Sequence, residues 1–171
     1  MPRTAVRSQT KASRSKTAEK KIPQNIRDKA LSSFQKLRRM EEANVDGYVE
    51  CISCGKVMHW KEAQGGHYIP RANRATEMEH DNVWPQCQRC NGFLNGNPIQ
   101  YRIRLVRKIG EKRVSRIENL AMANKGDDDA LASLSTEDKM NAVSLKSKKY
   151  YLARKKEFDS RIREIESGGI V

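Results

Sequence analysis

The chain has 171 residues, with a hydrophobic content of 37% and an aromatic content of 6%, enough for one modest core with extensions and too little for a large one. Lys and Arg number 34 against 21 Asp and Glu, a formal net charge of +13, which favours a polyanionic partner, nucleic acid first and a membrane surface second. No stretch approaches the roughly 18 apolar residues of a membrane-spanning helix, and Met1 to Lys21 lacks the apolar segment of a secretory signal. The expectation is a cytoplasmic protein with reduced thiols and no membrane partner.

Residues 1–21 carry Arg3, Arg7, Lys11, Arg14, Lys16, Lys20 and Lys21 against Glu19 and have almost nothing to bury. They read as a disordered basic tail, either solubilising or making sequence-blind phosphate contacts. Over 22–44, Ile26, Ala30, Phe34 and Leu37 recur at helical spacing after Pro23 and predict one amphipathic helix. From 45 to 97 the chain turns rich in Cys, Gly, His, Trp and Asn, with strand-like pieces at Val49 to Ile52 and His67 to Ile69.

Residues 98–125 read as helices packing on that core. Asn97-Pro98 looks like a cap with a first-turn proline, Ile99, Ile103 and Val106 mark one helix that Gly110 ends, and a second covers Glu111 to Asn124. An acidic turn at Gly126 to Asp129 opens the last segment, 126–171, which reads as a long basic C-terminal helix whose pattern runs after Ser135 to about Ser167. Met140, Val143, Tyr151, Phe158, Ile162 and Ile165 form its apolar stripe, for core packing or a dimer seam.

Cys51-Ile52-Ser53-Cys54 and Cys87-Gln88-Arg89-Cys90 are two CxxC pairs, each a turn that presents two thiolates to one tetrahedral ion. Zinc suits four thiolates best, and a site so filled is structural, with no open position for substrate. Thirty-two residues lie between Cys54 and Cys87, so the metal closes a long loop in a segment too poor in apolar residues to hold itself together. Catalytic groups must then be sought elsewhere. Inside the loop lie Gly66-His67-Tyr68-Ile69-Pro70 and Asp81-Asn82-Val83, and Asn91 follows the last cysteine.

This combination resembles the HNH nucleases. More narrowly, the run from Cys51 through Gly66-His67-Tyr68-Ile69-Pro70, Asn82-Val83, Gln86-Cys87, Cys90-Asn91 and Leu94-Asn95-Gly96-Asn97 to Tyr101 and Leu105 resembles the NinG/Rap recombination endonucleases of lambdoid phages. Phage endonuclease VII is similar in its two CxxC pairs and in the Asn after the last Cys. The resemblance implies an α+β fold, a zinc-stapled ββα-metal core embedded between helices, acting as a metal-dependent endonuclease on Holliday junctions and displacement loops. It implies His67 as general base, Asn82 as a catalytic residue that holds the hairpin loop, and Asn91 as ligand of a catalytic Mg²⁺ or Mn²⁺. Imidazole suits the base role because its unperturbed pKa of about 6.5 lies near working pH.

Many HNH proteins carry Asp or His before the base, where this chain has Gly66, so Glu79 and His80 become candidate metal ligands, Glu79 first because an oxygen donor suits Mg²⁺. Arg71, Arg74 and Arg89 are candidate DNA contacts, and Trp60 and Trp84 either stack on unpaired bases or fill the core. His59 reads as a surface loop residue. Branched DNA, a second copy of the chain, and phage or host recombination proteins are the expected partners. A less selective HNH nuclease and a non-catalytic zinc-ribbon protein remain the alternatives.

Overall fold

The computed structural model describes residues 24–168. The tail expected over 1–21 lies outside the described residues. The chain runs α1 (Gln24–Glu41), β1 (Tyr48–Glu50), β2 (Val57–His59), β3 (Gln64–His67), β4 (Val83–Gln86), a helical turn at Arg89–Phe93, then α2 (Pro98–Ile109), α3 (Glu111–Ala123), α4 (Asp128–Ser133), α5 (Thr136–Val143) and α6 (Lys148–Ser167). It is an α+β protein with two small antiparallel hairpins, β1 with β2 and β3 with β4, set among helices.

Ala30, Phe34 and Leu37 sit on one face of α1 and are buried with Tyr151, Phe158 and Ile162 of α6. Phe34 meets Phe158 at a ring-centroid distance of 4.9 Å. The apolar stripe of the C-terminal segment is thereby used inside the chain, although its early members, Met140 and Val143, are exposed and Ala142 takes the inward position. The single helix expected over 126–171 is in fact three. Asp127, Ser135 and Ser147 each cap a new N-terminus, accepting hydrogen bonds from the backbone N–H of Ala130, Asp138 and Tyr150.

The opposite side of α1 lies across the second hairpin. Gln35 Nε2 donates to the Gly65 carbonyl at 3.0 Å, and the buried Arg38 donates to the Val83 carbonyl at 3.1 Å while its guanidinium covers Trp84 at 4.8 Å. Gly65 permits this approach, because a Cβ there would stand 2.7 Å from Gln35 Cβ and 3.1 Å from its Cα. Gly66 serves the other face, where a Cβ would meet Gln86 Oε1 at 2.1 Å. The residue before His67 is therefore glycine for a packing reason, and no side chain fits in its place.

Two further clusters complete the interior. Ile52, Trp84, Tyr101, Leu105 and Val114 join the first CxxC turn to α2 and α3, and Ala75, Leu120, Ala123, Ala130, Leu134 and Ala142 pack α3 to α5 against the loop before β4. In α2 the inward residues are Tyr101 and Leu105, with Val106 of the expected stripe partly buried beside them, whereas Ile99 and Ile103 point outward. Asn97 does not cap α2 through its side chain. It adopts φ 46° and turns its amide toward Cys90 Sγ at 3.7 Å.

A Gly65→Ala substitution should therefore cost about 1–3 kcal/mol through overpacking against α1, whereas Gly92→Ala, whose Cβ would meet nothing within 4 Å, should be near neutral. Thermal or urea unfolding of the two variants beside the parent checks the contrast.

Candidate metal centre and histidine cleft

The first CxxC follows β1 and the second follows β4, and the fold brings all four sulfurs within 4.8 Å of one another. Cys54 and Cys87 are separated by 3.8 Å between sulfurs. A tetrahedral zinc ion with bonds of about 2.3 Å holds its sulfurs roughly 3.8 Å apart, so the donor set fits zinc, and all four cysteines are free of disulfides. Three of the four are buried. Burial pushes the Cys90 thiol up to about 12 and raises that of Cys51, so a bound cation is what would hold them as thiolates at neutral pH. Ile52 N–H donates to the Pro85 carbonyl at 2.9 Å, tying the first turn to β4. The cluster can thus bind a zinc ion that pins both hairpins and the helical turn together.

His67 ends β3, paired with Val83. Its Nε2 lies 3.0 Å from the Glu77 carbonyl oxygen. A carbonyl can only accept, so the neutral ring carries its proton on Nε2 and keeps the lone pair on Nδ1. Burial lowers the pKa of His67 from its ordinary value, the Glu77 carbonyl works against that, and the Arg71 and Arg27 charges add to the lowering. The ring opens on a cleft of about 300 Å³ lined also by Gln35, Gly65, Pro70, Arg71, Asn91, Asn95 and Gly96.

The loop that supplies this carbonyl is built from its own buried polar groups. Asn82, wholly buried, accepts from Ile69 N–H at 2.7 Å and donates to the carbonyls of Ile69 at 3.0 Å and Thr76 at 2.9 Å, holding both ends of the 69–76 segment. The Glu77 side chain is also buried. Its carboxylate accepts from Arg27 Nε of α1 at 2.8 Å and from the Tyr151 hydroxyl of α6 at 2.7 Å. A carboxylate is buried only when paired in this way. Through Glu77, the two long helices fix the backbone group on which His67 leans.

The structure sorts the residues singled out in the sequence. His67, Asn91 and Arg71 share the cleft, with Asn91 on the helical turn directly after Cys90. Asn91 donates its amide N–H to Gln64 Oε1 at 2.6 Å, leaving its own oxygen available. Glu79 and His80 are not brought to this cleft. The Glu79 carboxylate is held by Arg116 at 3.0 Å and Asn141 at 3.1 Å, and His80 packs on Phe34 with Glu41 3.5 Å from its Nδ1. Ion pairing and the direction of the turn at His80–Asn82 take both away.

Arg74 donates to the Tyr151 hydroxyl at 2.9 Å, and Arg89 is exposed on the helical turn. Trp60 and Trp84 are both buried and unavailable for base stacking. His59 lies in β2, half-buried, with its ring edge-on to Tyr48, and is not a loop residue. The sequence reading missed Arg27 and Glu77, which carry no motif, and took Tyr151 only as part of an apolar stripe. The Gly65-Gly66 pair was a usable signal of close backbone approach.

A histidine whose folded pKa lies below its unfolded value stays neutral while the unfolded chain takes up a proton near pH 6.5. Its contribution to stability is complete above about pH 6.5 and declines as the pH falls toward the folded pKa. An NMR titration should place the His67 midpoint below 6.5, and Glu77→Gln, which loosens the carbonyl contact that raises it and leaves the Arg27 charge uncompensated, should move that midpoint further down.

A family model described as "Bacteriophage Lambda NinG protein" matches residues 2–149. "Protein ninG" of Escherichia phage 933W is 36% identical over 76 residues, covering 43% of this chain and 37% of that relative. "Protein ninG" of Escherichia phage lambda is 31% identical over 74 residues, covering 43% of this chain and 36% of that relative, and that of Salmonella phage P22 is 36% identical over 76 residues with the same shares. The matched stretch spans little more than a third of the length of these curated relatives. No solved structure gives a significant match.

Proposed function

The chain belongs to the NinG family of phage proteins, and on that footing we propose that it is an HNH-type endonuclease that hydrolyses phosphodiester bonds in branched DNA, Holliday junctions and displacement loops, during phage recombination. The observation that carries this reading is the His67 ring, its Nε2 proton fixed on the Glu77 carbonyl, in a basic cleft beside Asn91 and the four-cysteine cluster. The order of parts supports it too: two antiparallel strands, with His67 at the end of the first, followed by a helical turn carrying Asn91.

In this reading His67 Nδ1 takes a proton from the attacking water. A lowered pKa keeps that nitrogen unprotonated at neutral pH. The water oxygen forms a bond to phosphorus as the bond to the 3′-oxygen breaks, and the departing 3′-oxygen takes a proton from solvent, leaving 5′-phosphate and 3′-hydroxyl ends. Arg71 lies on the cleft wall, where it neutralises charge on the phosphate. Asn82 acts through the loop it clamps.

Among the described residues no carboxylate lines the cleft. A catalytic Mg²⁺ or Mn²⁺ would be held by the Asn91 amide oxygen, by water and by the substrate's own phosphate, and would supply charge stabilisation at the leaving oxygen. That same lack of a carboxylate favours the second reading, a zinc-ribbon protein that binds DNA without cutting it. The exposed Lys and Arg of α6, Lys148, Lys149 and Lys156 among them, suit phosphate contacts under either reading. Association into a homodimer, contact with recombination proteins and a place in the host cytoplasm belong to the same proposal. No helix among the described residues is long and apolar enough to cross a membrane.

The test is incubation with labelled four-way junction, displacement-loop and linear duplex DNA of matched sequence, with Mg²⁺ or Mn²⁺. Cleavage confined to the branched substrates and reduced about 10²- to 10⁴-fold by His67→Ala is the expected result. Equal cutting of linear duplex would leave a less selective HNH nuclease, and tight binding without cutting under either ion would leave the zinc-ribbon reading.

A further inference from the structure

The helical turn that carries Cys90 and Asn91 ends in two large apolar side chains that the fold does not use. Phe93 is 78% exposed and Leu94 43% exposed. They are not on a loose loop. Leu94 N–H donates to the Arg89 carbonyl at 2.9 Å, Gly96 N–H donates to the Cys90 carbonyl at 2.9 Å, and Gln86 Nε2 donates to the Gly96 carbonyl at 2.6 Å. Asn95, Gly96 and Asn97 follow with φ of 48°, 88° and 46°, a left-handed run that turns the chain back sharply and leaves the tip projecting.

The position of the tip narrows what it meets. Asn91 before it and Asn95 and Gly96 after it line the His67 cleft, so the tip stands at the cleft's edge. Arg89 on the same turn and Arg71 across the cleft are exposed. An apolar point flanked by free guanidinium groups, on a chain of net charge +13, is complementary to a polyanion that also offers flat apolar faces. Nucleic acid with unstacked bases is such a partner, and the two tryptophans that could have stacked on them are buried.

We propose that Phe93, with Leu94 beside it, is a base-stacking wedge that enters a nucleic acid where its bases are already unpaired or unstacked, as at a branch point. The inference rests on the DNA-directed reading above and adds to it the element that distinguishes branched from continuous duplex. Opening an intact base step costs a few kilocalories per mole, while a branch has opened it beforehand, so the same tip gains on a junction what it forfeits on a linear arm.

The experiment uses the full zinc-loaded chain with the catalytic ion omitted and a four-way junction carrying 2-aminopurine either at the branch or within an arm. Wild-type protein should change the fluorescence of the branch probe and not of the arm probe. Phe93→Ala should abolish that change and weaken junction binding about 5- to 150-fold, the range of one base–aromatic stack, with linear duplex binding nearly unaffected. Phe93→Trp should restore both. An unchanged branch signal in Phe93→Ala, or equal loss on junction and duplex, would overturn the proposal, and so would sedimentation showing that Phe93→Ala converts a dimer to a monomer, which would make the tip a contact between copies. A Phe93-dependent branch signal from a protein that never cuts DNA would sustain the wedge and sink the nuclease reading. Selective cutting with no such signal would do the reverse.

Discussion

Four sulfur atoms within 4.8 Å of one another join two segments that the sequence holds 32 residues apart. Between those segments lie three strands of three, four and four residues and a long loop, too little apolar surface to stay closed unaided. A zinc ion on these sulfurs would fix the end of β4, the helical turn with Asn91 and, through the Ile52 to Pro85 hydrogen bond, the first hairpin. The groups of the cleft are positioned from that point, from helix α1 and, through Tyr151, from α6.

Helix α1 supplies the second anchor. It lies close enough over Gly65 that no side chain fits there, and it sends Gln35, Arg38 and Arg27 into the hairpin and its loop. Arg27 and Tyr151 hold Glu77, Glu77 offers its carbonyl to His67, and Asn82 closes the loop behind. A histidine so held has one tautomer and a lowered pKa, both fitting for a group that takes a proton at neutral pH. The helices beyond residue 97 pack around this unit and carry much of the positive charge outward.

The four-cysteine cluster, α1 and α3 could be read from residue spacing, because apolar periodicity and CxxC pairs are local signals, while the α+β class came with the family resemblance. Strands β2 and β4 could not. Val57–His59 is only three residues long, too short for its alternation to register, and Val83–Gln86 is buried throughout with a proline inside it, so it does not alternate. The break at Ser147 was present as a capping serine but was overridden by the apolar count on either side. In the cleft, Glu79 and His80 stood close to Asn82 in sequence, yet pairing with Arg116 and Glu41 turns them elsewhere, a contact between distant segments that no local pattern encodes. Glu77 was invisible for the same reason, one acid among 21 until burial and its partners single it out.

The central claim is that the cysteine cluster sets the geometry of His67. Its most direct test is the His67 Nε2 proton, which a hydrogen bond to the carbonyl of the buried Glu77 should make visible and slow to exchange in the NMR spectrum. The account predicts one zinc per chain and the disappearance of that resonance when the zinc is chelated, with recovery on adding zinc back. Persistence of the resonance, unshifted, in zinc-free protein would contradict it, because the histidine would then be held without the metal-closed loop.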